Sequence, residues 1–264
     1  MSNCWQHLLQ AGDSLESLCQ QALDAGLTYV ELRQTCLGNC EDADHQPKPD
    51  ALGKLADQVR GMHWNLAINH PVFSSNDLSN ATFQAAIESV VAIDKSCPHL
   101  RIVDLSLASP ESLPNTEAAA ECVAKHAEVL GNVGGVLSLE HSIQPWDWFE
   151  SVFVQANQLL KADGNSLLKL CYDACNLLFP ADGVDPNQIT AGLDIQSISM
   201  IHFKQRQDGR VLDTMQDGDI DWSTQLSLWA EKEYDGPALF EIAPSQQVWT
   251  RLSDSQQYLL DCHK

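Results

Sequence analysis

Short runs of branched apolar residues alternate strictly with amphipathic helical patterns along this chain, and no other feature constrains the fold as tightly. Strand-like runs fall at residues 29–32, 66–68, 101–107, 136–139, 167–172, 200–203 and 238–242, with a weak one at 4–7. Between them lies the helical segment "SLESLCQQALDA", opened by a capping box of Asp13 and Glu16 and closed by Gly26. Further helices are predicted near residues 50–60, with Gly61 as the stop, and near 82–95, 116–130, 146–162, 221–233 and 246–261. A strand always followed by a helix must return to the same end of its sheet, so the sheet is predicted parallel. Eight units in 264 residues give each about 33 residues, the size of a βα repeat. The expected fold is therefore α/β, a single closed (β/α)8 barrel. No Gly/Ser-rich or Pro-rich linker divides it, which predicts one domain over residues 1–264.

An open doubly wound sheet carries a glycine-rich turn after its first strand. The only comparable text here is "LGNVGG" at 130–135, which follows a helix and precedes a strand. That is the wrong order for a dinucleotide or phosphate loop.

Four strands end in chemistry-bearing residues: "GVLSLEHS", "LKLCYDACN", "SMIHFKQ" and "ALFEIAP". In a barrel, alternate residues of each strand point inward, and the C-terminal strand ends meet around one mouth. By that parity Glu140 faces inward with Ser138 and Val136, Asp173 with Cys171, His202 with Met200 and Glu241 with Leu239. Carboxylates gathered so closely repel one another unless a cation lies among them. Three carboxylates and one imidazole suit one divalent ion, Mn²⁺ or Mg²⁺ first, with Co²⁺, Fe²⁺ or Zn²⁺ as other candidates. Lys204, two residues beyond His202, shares its face and is a candidate substrate contact. The other reading of Lys204 is a solvated rim lysine. Trp146 and Trp148 either stack on a sugar or pack the following helix.

Charge narrows the partners. The formal net charge of -21, from 36 acidic against 15 basic side chains, disfavours nucleic acid and anionic membranes. An anionic substrate needs local cations such as Arg33, Lys204 or Arg206, so a neutral sugar or polyol is expected ahead of it. Nine scattered cysteines, with no CxxC spacing at Cys36/Cys40 or Cys171/Cys175, read as reduced buried thiols. Together with the lack of a signal-like start or a long apolar run, they predict a cytoplasmic protein.

Taken in order, "AGLTYVELR", "LEHS", "YDACN", "IHFK", "DGDIDW" and "LFEI" resemble the xylose isomerase-like TIM barrel superfamily along nearly the whole chain. That superfamily holds sugar phosphate isomerases and epimerases, hydroxypyruvate isomerase, inosose dehydratase and the apurinic endonucleases. The resemblance implies that Glu140, Asp173, His202 and Glu241 are metal ligands. Glu140 and Glu241 would also be the acid/base pair, moving a proton through a metal-stabilised cis-enediolate. It further implies substrate contacts at Lys204 and His70, with Arg33 a weaker candidate and Glu31 an inward structural acid; the other reading of His70 is a plain turn histidine before Pro71. Asn176 stands where the multi-zinc endonucleases and several epimerases carry a histidine. It thereby removes a ligand of a trinuclear cluster and becomes a candidate substrate contact. Gln205 and Gln216 also depart from the pattern. The expected activity is isomerisation or epimerisation of a sugar, polyol or keto acid, with an inosose-type dehydratase or a non-catalytic ligand-binding barrel as alternatives. Homo-oligomers are common in such a family.

Overall fold

Seven of the expected strands form and pair parallel in one sheet. The computed structural model describes residues 1–107, 110–160, 167–179 and 183–262. Its strands are β1 (Tyr29–Arg33), β2 (His63–Asn69), β3 (His99–Val103), β4 (Val136–Glu140), β5 (Leu168–Asp173), β6 (Ile198–Phe203) and β9 (Ala238–Phe240). A two-residue antiparallel hairpin, β7 (Arg206–Gln207) with β8 (Arg210–Val211), lies between the last two. The sheet order is β1-β2-β3-β4-β5-β6-β9, so the barrel strands follow one another in chain order. Around them run α1 (Gln6–Ala11), α2 (Leu15–Asp24), α3 (Pro49–Gln58), α4 (Ala81–Ile93), α5 (Thr116–Gly131), α6 (Trp146–Leu160), α7 (Pro186–Gly192), α8 (Trp222–Glu231) and α9 (Val248–Cys262). The predicted end of the sixth helix, residues 161 and 162, lies outside the described residues.

The place of an eighth strand is filled differently from the expectation. Residues 4–7 form no strand; Ser2–Trp5 is a 3-10 turn that runs into α1. This segment reaches the sheet by single bonds instead of a ladder. The Met1 nitrogen donates to Phe240 O at 3.0 Å, the Cys4 thiol donates to Phe240 O and Ile242 O, and Ser2 Oγ accepts from the Arg33 backbone N–H at 2.8 Å. A short polar-following run such as "CWQH" lacks the two-residue alternation that would hold a strand in register, and it plugs the seam between β1 and β9 as a turn.

Helix ends obey local chemistry. Ser14 caps α2 by accepting from the Ser17 N–H, one residue later than the predicted Asp13 cap, while Asn80, Asn115 and Asp221 cap α4, α5 and α8. Gly26 closes the α2 turn at φ +80 as expected.

Parity sorts the sheet's two faces. Leu32, Leu66, Ile68, Leu100, Ile102, Leu137, Leu139, Leu170, Ile201 and Phe240 join the helices in the main core. Inside the barrel, Met1, Cys171, Met200 and Leu239 form a separate small apolar cluster. Much of the remaining interior is polar, with Glu31, Asn65, Arg101, Ser138 and His202 all buried. Barrel interiors are ordinarily filled by branched apolar layers, so this lumen is built for something other than stability. A register shift between Leu170 and Cys171 then sets Cys171 opposite Met200 and Asp173 opposite His202. That single slip keeps both members of each pair inward.

All nine cysteines are free thiols. Among the described residues, no helix is long and apolar enough to cross a membrane.

Candidate metal centre

The four strand-end residues meet. One ligand atom from each of Glu140, Asp173, His202 and Glu241 lies within 4.8 Å of all the others. His202 Nδ1 is 3.3 Å from Glu241 Oε2, 3.6 Å from Glu140 Oε1 and 3.8 Å from Asp173 Oδ2. Three of the side chains are essentially closed to solvent, and Glu241 is the most open at 12%. Among the described residues this is the one such group of His, Cys, Asp and Glu, so neither Cys36/Cys40 nor Cys171/Cys175 forms another.

Each of the four side chains is fixed by its neighbours. Asp173 Oδ1 accepts from the backbone N–H groups of Cys175 and Asn176, which turns Oδ2 toward the centre. The other ring nitrogen of His202, Nε2, lies 3.3 Å from the Cys171 thiol and 3.7 Å from Glu31 Oε1. Such outer partners set the orientation of a ligating imidazole. Asn176 Nδ2 donates to Glu140 Oε1 at 3.0 Å and to His141 O at 2.9 Å.

Two cations reach in. Lys204 Nζ donates to Asp173 Oδ2, Asn176 Oδ1 and Glu241 Oε2, each at 3.0 Å. Arg101 bridges Glu31 and Glu140 from below. Burial opposes ionisation of Glu241, but Lys204 and His202 outweigh it and hold the carboxyl well below the usual range. Burial likewise opposes a charge on Glu31, which Arg101 and His202 more than offset. Lys204 is desolvated, yet Asp173 and Glu241 raise its pKa and keep it charged. Burial also works against a charge on His202, and Cys171, Asp173 and Glu241 outweigh it.

The donor set fits a divalent ion. Glu31, Glu140, Asp173 and Glu241 carry four negative charges against the two positive charges of Arg101 and Lys204. The excess of two matches one divalent cation beside a neutral imidazole, while a proton on His202 offsets only half of it. Three carboxylate oxygens with one imidazole nitrogen are also a donor mixture that such ions accept.

The other predicted contacts divide. Lys204 and Asn176 sit inside the group. Arg33 continues the inward parity of Glu31 at the end of β1, and its side chain makes no hydrogen bond or ion pair with a described residue. His70 points the other way. Its Nε2 meets His126 Nε2 at 3.0 Å, and its ring stacks on Phe83 among the helices. Because His126 Nδ1 bonds Cys122 O at 2.8 Å, its Nε2 is the acceptor and His70 is the donor. Trp146 and Trp148 pack: the first against His141 and Phe149, the second edge-on to Phe73 with its indole N–H on Pro114 O.

The two sequence departures also find places. Gln205 is buried, accepts from the Arg206 and Ile220 N–H groups, and donates to Gln216 O and Ile220 O. It thereby pins the "DGDID" turn, where any Cβ at Gly218 would lie 2.6 Å from Arg206 O. Trp222 at the end of that motif donates to Lys204 O at 3.1 Å, which anchors the lysine that enters the site. Arg101 is the residue that sequence reasoning missed. Its signal is a lone charge in the middle of the buried run "HLRIV", on the same face as His99 and Val103.

Fold and donor set together define a TIM barrel with a candidate divalent-cation site at its mouth. The chain belongs to the xylose isomerase-like TIM barrel family, whose model matches residues 19–260. It is similar to a xylose isomerase domain containing protein from Salmonella typhimurium (TM-score 0.71, 14% identity, 96% of this chain and 94% of that one). It is also similar to the IolI protein with a binding zinc atom (0.67, 15%, 99% and 95%) and to L-ribulose 3-epimerase (0.63, 16%, 97% and 84%). No curated protein matches the sequence significantly.

Proposed function

We propose that this protein is a divalent-metal-dependent isomerase or epimerase of a sugar or keto acid, acting by proton transfer at the carbon beside a carbonyl. The observation that carries the reading is the convergence of Glu140, Asp173, His202 and Glu241 within 4.8 Å at the open end of the barrel. Likeness to a zinc-binding relative and to a sugar epimerase supports it. A bound divalent ion, Mn²⁺ or Mg²⁺ ahead of Co²⁺, Fe²⁺ or Zn²⁺, supplies Lewis acidity toward the carbonyl and its neighbouring hydroxyl.

The chain's own residues do the rest. Glu140 and Glu241 are the proton carriers, one taking the carbon-bound proton and the other returning one. Return to the opposite face of the same carbon gives an epimer, and transfer to the neighbouring carbon gives an isomer. The Lys204 ammonium donates to a substrate oxygen, Asn176 holds both Lys204 and Glu140 in place, and Arg33 lies at the rim for a further contact. The buried donors exclude water, so the carboxylates act at short range in a low dielectric. The strongly acidic chain favours a small neutral partner over nucleic acid or membrane. Free cysteines fit a reducing cytoplasm.

The test is metal analysis of the purified protein followed by proton NMR in deuterated water with a panel of ketoses, inososes and hydroxypyruvate. Deuterium uptake at carbon with no loss of water is the expected result. An enone or dione product identifies a dehydratase instead, and a metal-free protein inert to the whole panel leaves only a ligand-binding barrel.

A further inference from the structure

Arg101 lies where an arginine works against the chemistry just described. Its guanidinium stands beside Glu140, and a fixed positive charge there repels a second cation. Nor does stability explain it, because a buried ion pair is on average no better than well-packed apolar side chains of the same volume. The geometry accounts for it in another way. Arg101 Nε and Nη2 donate to the two oxygens of Glu31 at 2.8 and 2.9 Å, a two-pronged grip, while Nη1 reaches up to Glu140 Oε2. Arg101 and Glu31 are both fully buried, and Asn65 Nδ2 gives Glu31 a further bond at 2.6 Å. The planar fork of a guanidinium serves two carboxylates at once; a lysine offers one point of charge.

We infer that Arg101 is a positioning residue for the cation site. Rooted on Glu31, it takes Oε2 of Glu140 and leaves Oε1 to face His202 Nδ1 at 3.6 Å and to accept from Asn176. Glu31 meanwhile lies 3.7 Å from His202 Nε2, so a single buried acid at the centre of β1 holds Glu140 through Arg101 and sets its charge beside the outer ring nitrogen of His202. The inference rests on the metal-site reading above.

Charge and geometry are separated by variants that keep the net charge of the site, for which electrostatics predicts unchanged binding and positioning predicts weaker binding. Removing Arg101 tightens cation binding if its charge is what matters, and weakens it if its geometry does. The double variant E31Q/R101M removes one negative and one positive charge together, so the net charge of the site is unchanged while Glu140 Oε2 loses its guanidinium partner. R101K keeps the charge and loses the fork. Full-length wild type and both variants are stripped of metal, checked by circular dichroism and thermal melting, and titrated with Mn²⁺ by electron paramagnetic resonance. Each folded variant is expected to bind Mn²⁺ about 10–100-fold more weakly than wild type, the range found for outer partners of metal ligands, with an altered zero-field splitting. Equal or tighter binding by a folded variant, with the wild-type spectrum, overturns the assignment while leaving the metal site standing. If wild type itself binds no Mn²⁺, the metal-site reading fails and this inference with it.

Discussion

Asn176 donates to Glu140 Oε1 at 3.0 Å while its own Oδ1 accepts from Lys204, also at 3.0 Å. One neutral amide thus ties an acid at the end of β4 to an ammonium just beyond β6 without adding charge. Asn176→Ala leaves both groups short of a buried partner and is expected to cost about 1–3 kcal/mol. Asn176→Asp keeps an acceptor for Lys204 but sets a carboxylate against Glu140, so it should destabilise the metal-free protein further. Saturating Mn²⁺ should narrow that gap. Thermal melts of the three proteins, with and without Mn²⁺, check both statements.

Lys204 carries the larger electrostatic share. Lys204→Met leaves Asp173 and Glu241 buried without their common cation, a change that costs about 3–5 kcal/mol for a broken buried pair. A divalent ion restores the missing positive charge, so Mn²⁺ should recover more stability in the variant than in wild type. Urea unfolding with and without the ion measures the difference. Equal recovery in both proteins would show that the ammonium and the ion act at independent places.

Part of the acid sensitivity should arise away from the mouth. Burial, with His126 beside it, pushes His70 down to about 4, and burial pushes His99 down to about 4 as well. Both folded values lie below the ordinary imidazole value, so between about pH 6.5 and 4 the unfolded chain binds the extra protons. Stability is then intact above about pH 6.5 and falls with descending pH, by up to about 1.4 kcal/mol per pH unit for each histidine. His70→Gln should flatten the slope of melting temperature against pH between 6.5 and 4. An unchanged slope would place the acid-sensitive group elsewhere.

Ser2 is a small residue with a long-range task. Ser2→Ala removes the acceptor of the Arg33 N–H and is expected to cost about 1–3 kcal/mol by leaving that donor unpaired. Hydrogen exchange should speed up at β1 and β9 before it does at β3 or β4.

How far the sequence speaks depends on which physical rule applies. Glu140, Asp173, His202 and Glu241 were readable because each follows an apolar run at the same parity, and a parallel barrel brings such ends together whatever the loops do. The same parity also explains His70. It follows β2 in phase with Leu66 and Ile68, which face the helices, so its ring turns outward to His126 and Phe83. The resemblance implies a substrate contact there, but the ring packs among the helices. The apolar pattern puts Arg101 at the edge of a strand at 101–107, whereas β3 spans His99–Val103 with the arginine at its centre. A charge inside an apolar run reads as a boundary until its partner is known, and Glu31 lies 70 residues away in sequence. The first residues misled for another reason: the apolar pair Cys4 and Trp5 suggests a strand start, but the alternation that would hold one in register is missing.

That plug has a consequence for how the molecule is made. Met1 and Phe240 are 239 positions apart, and their contact is part of what shuts the seam. During synthesis the ring must therefore wait, one flank of β1 bare, until nearly every other strand has left the ribosome. A strand edge left unpaired for that long is the kind of surface on which partly folded chains aggregate.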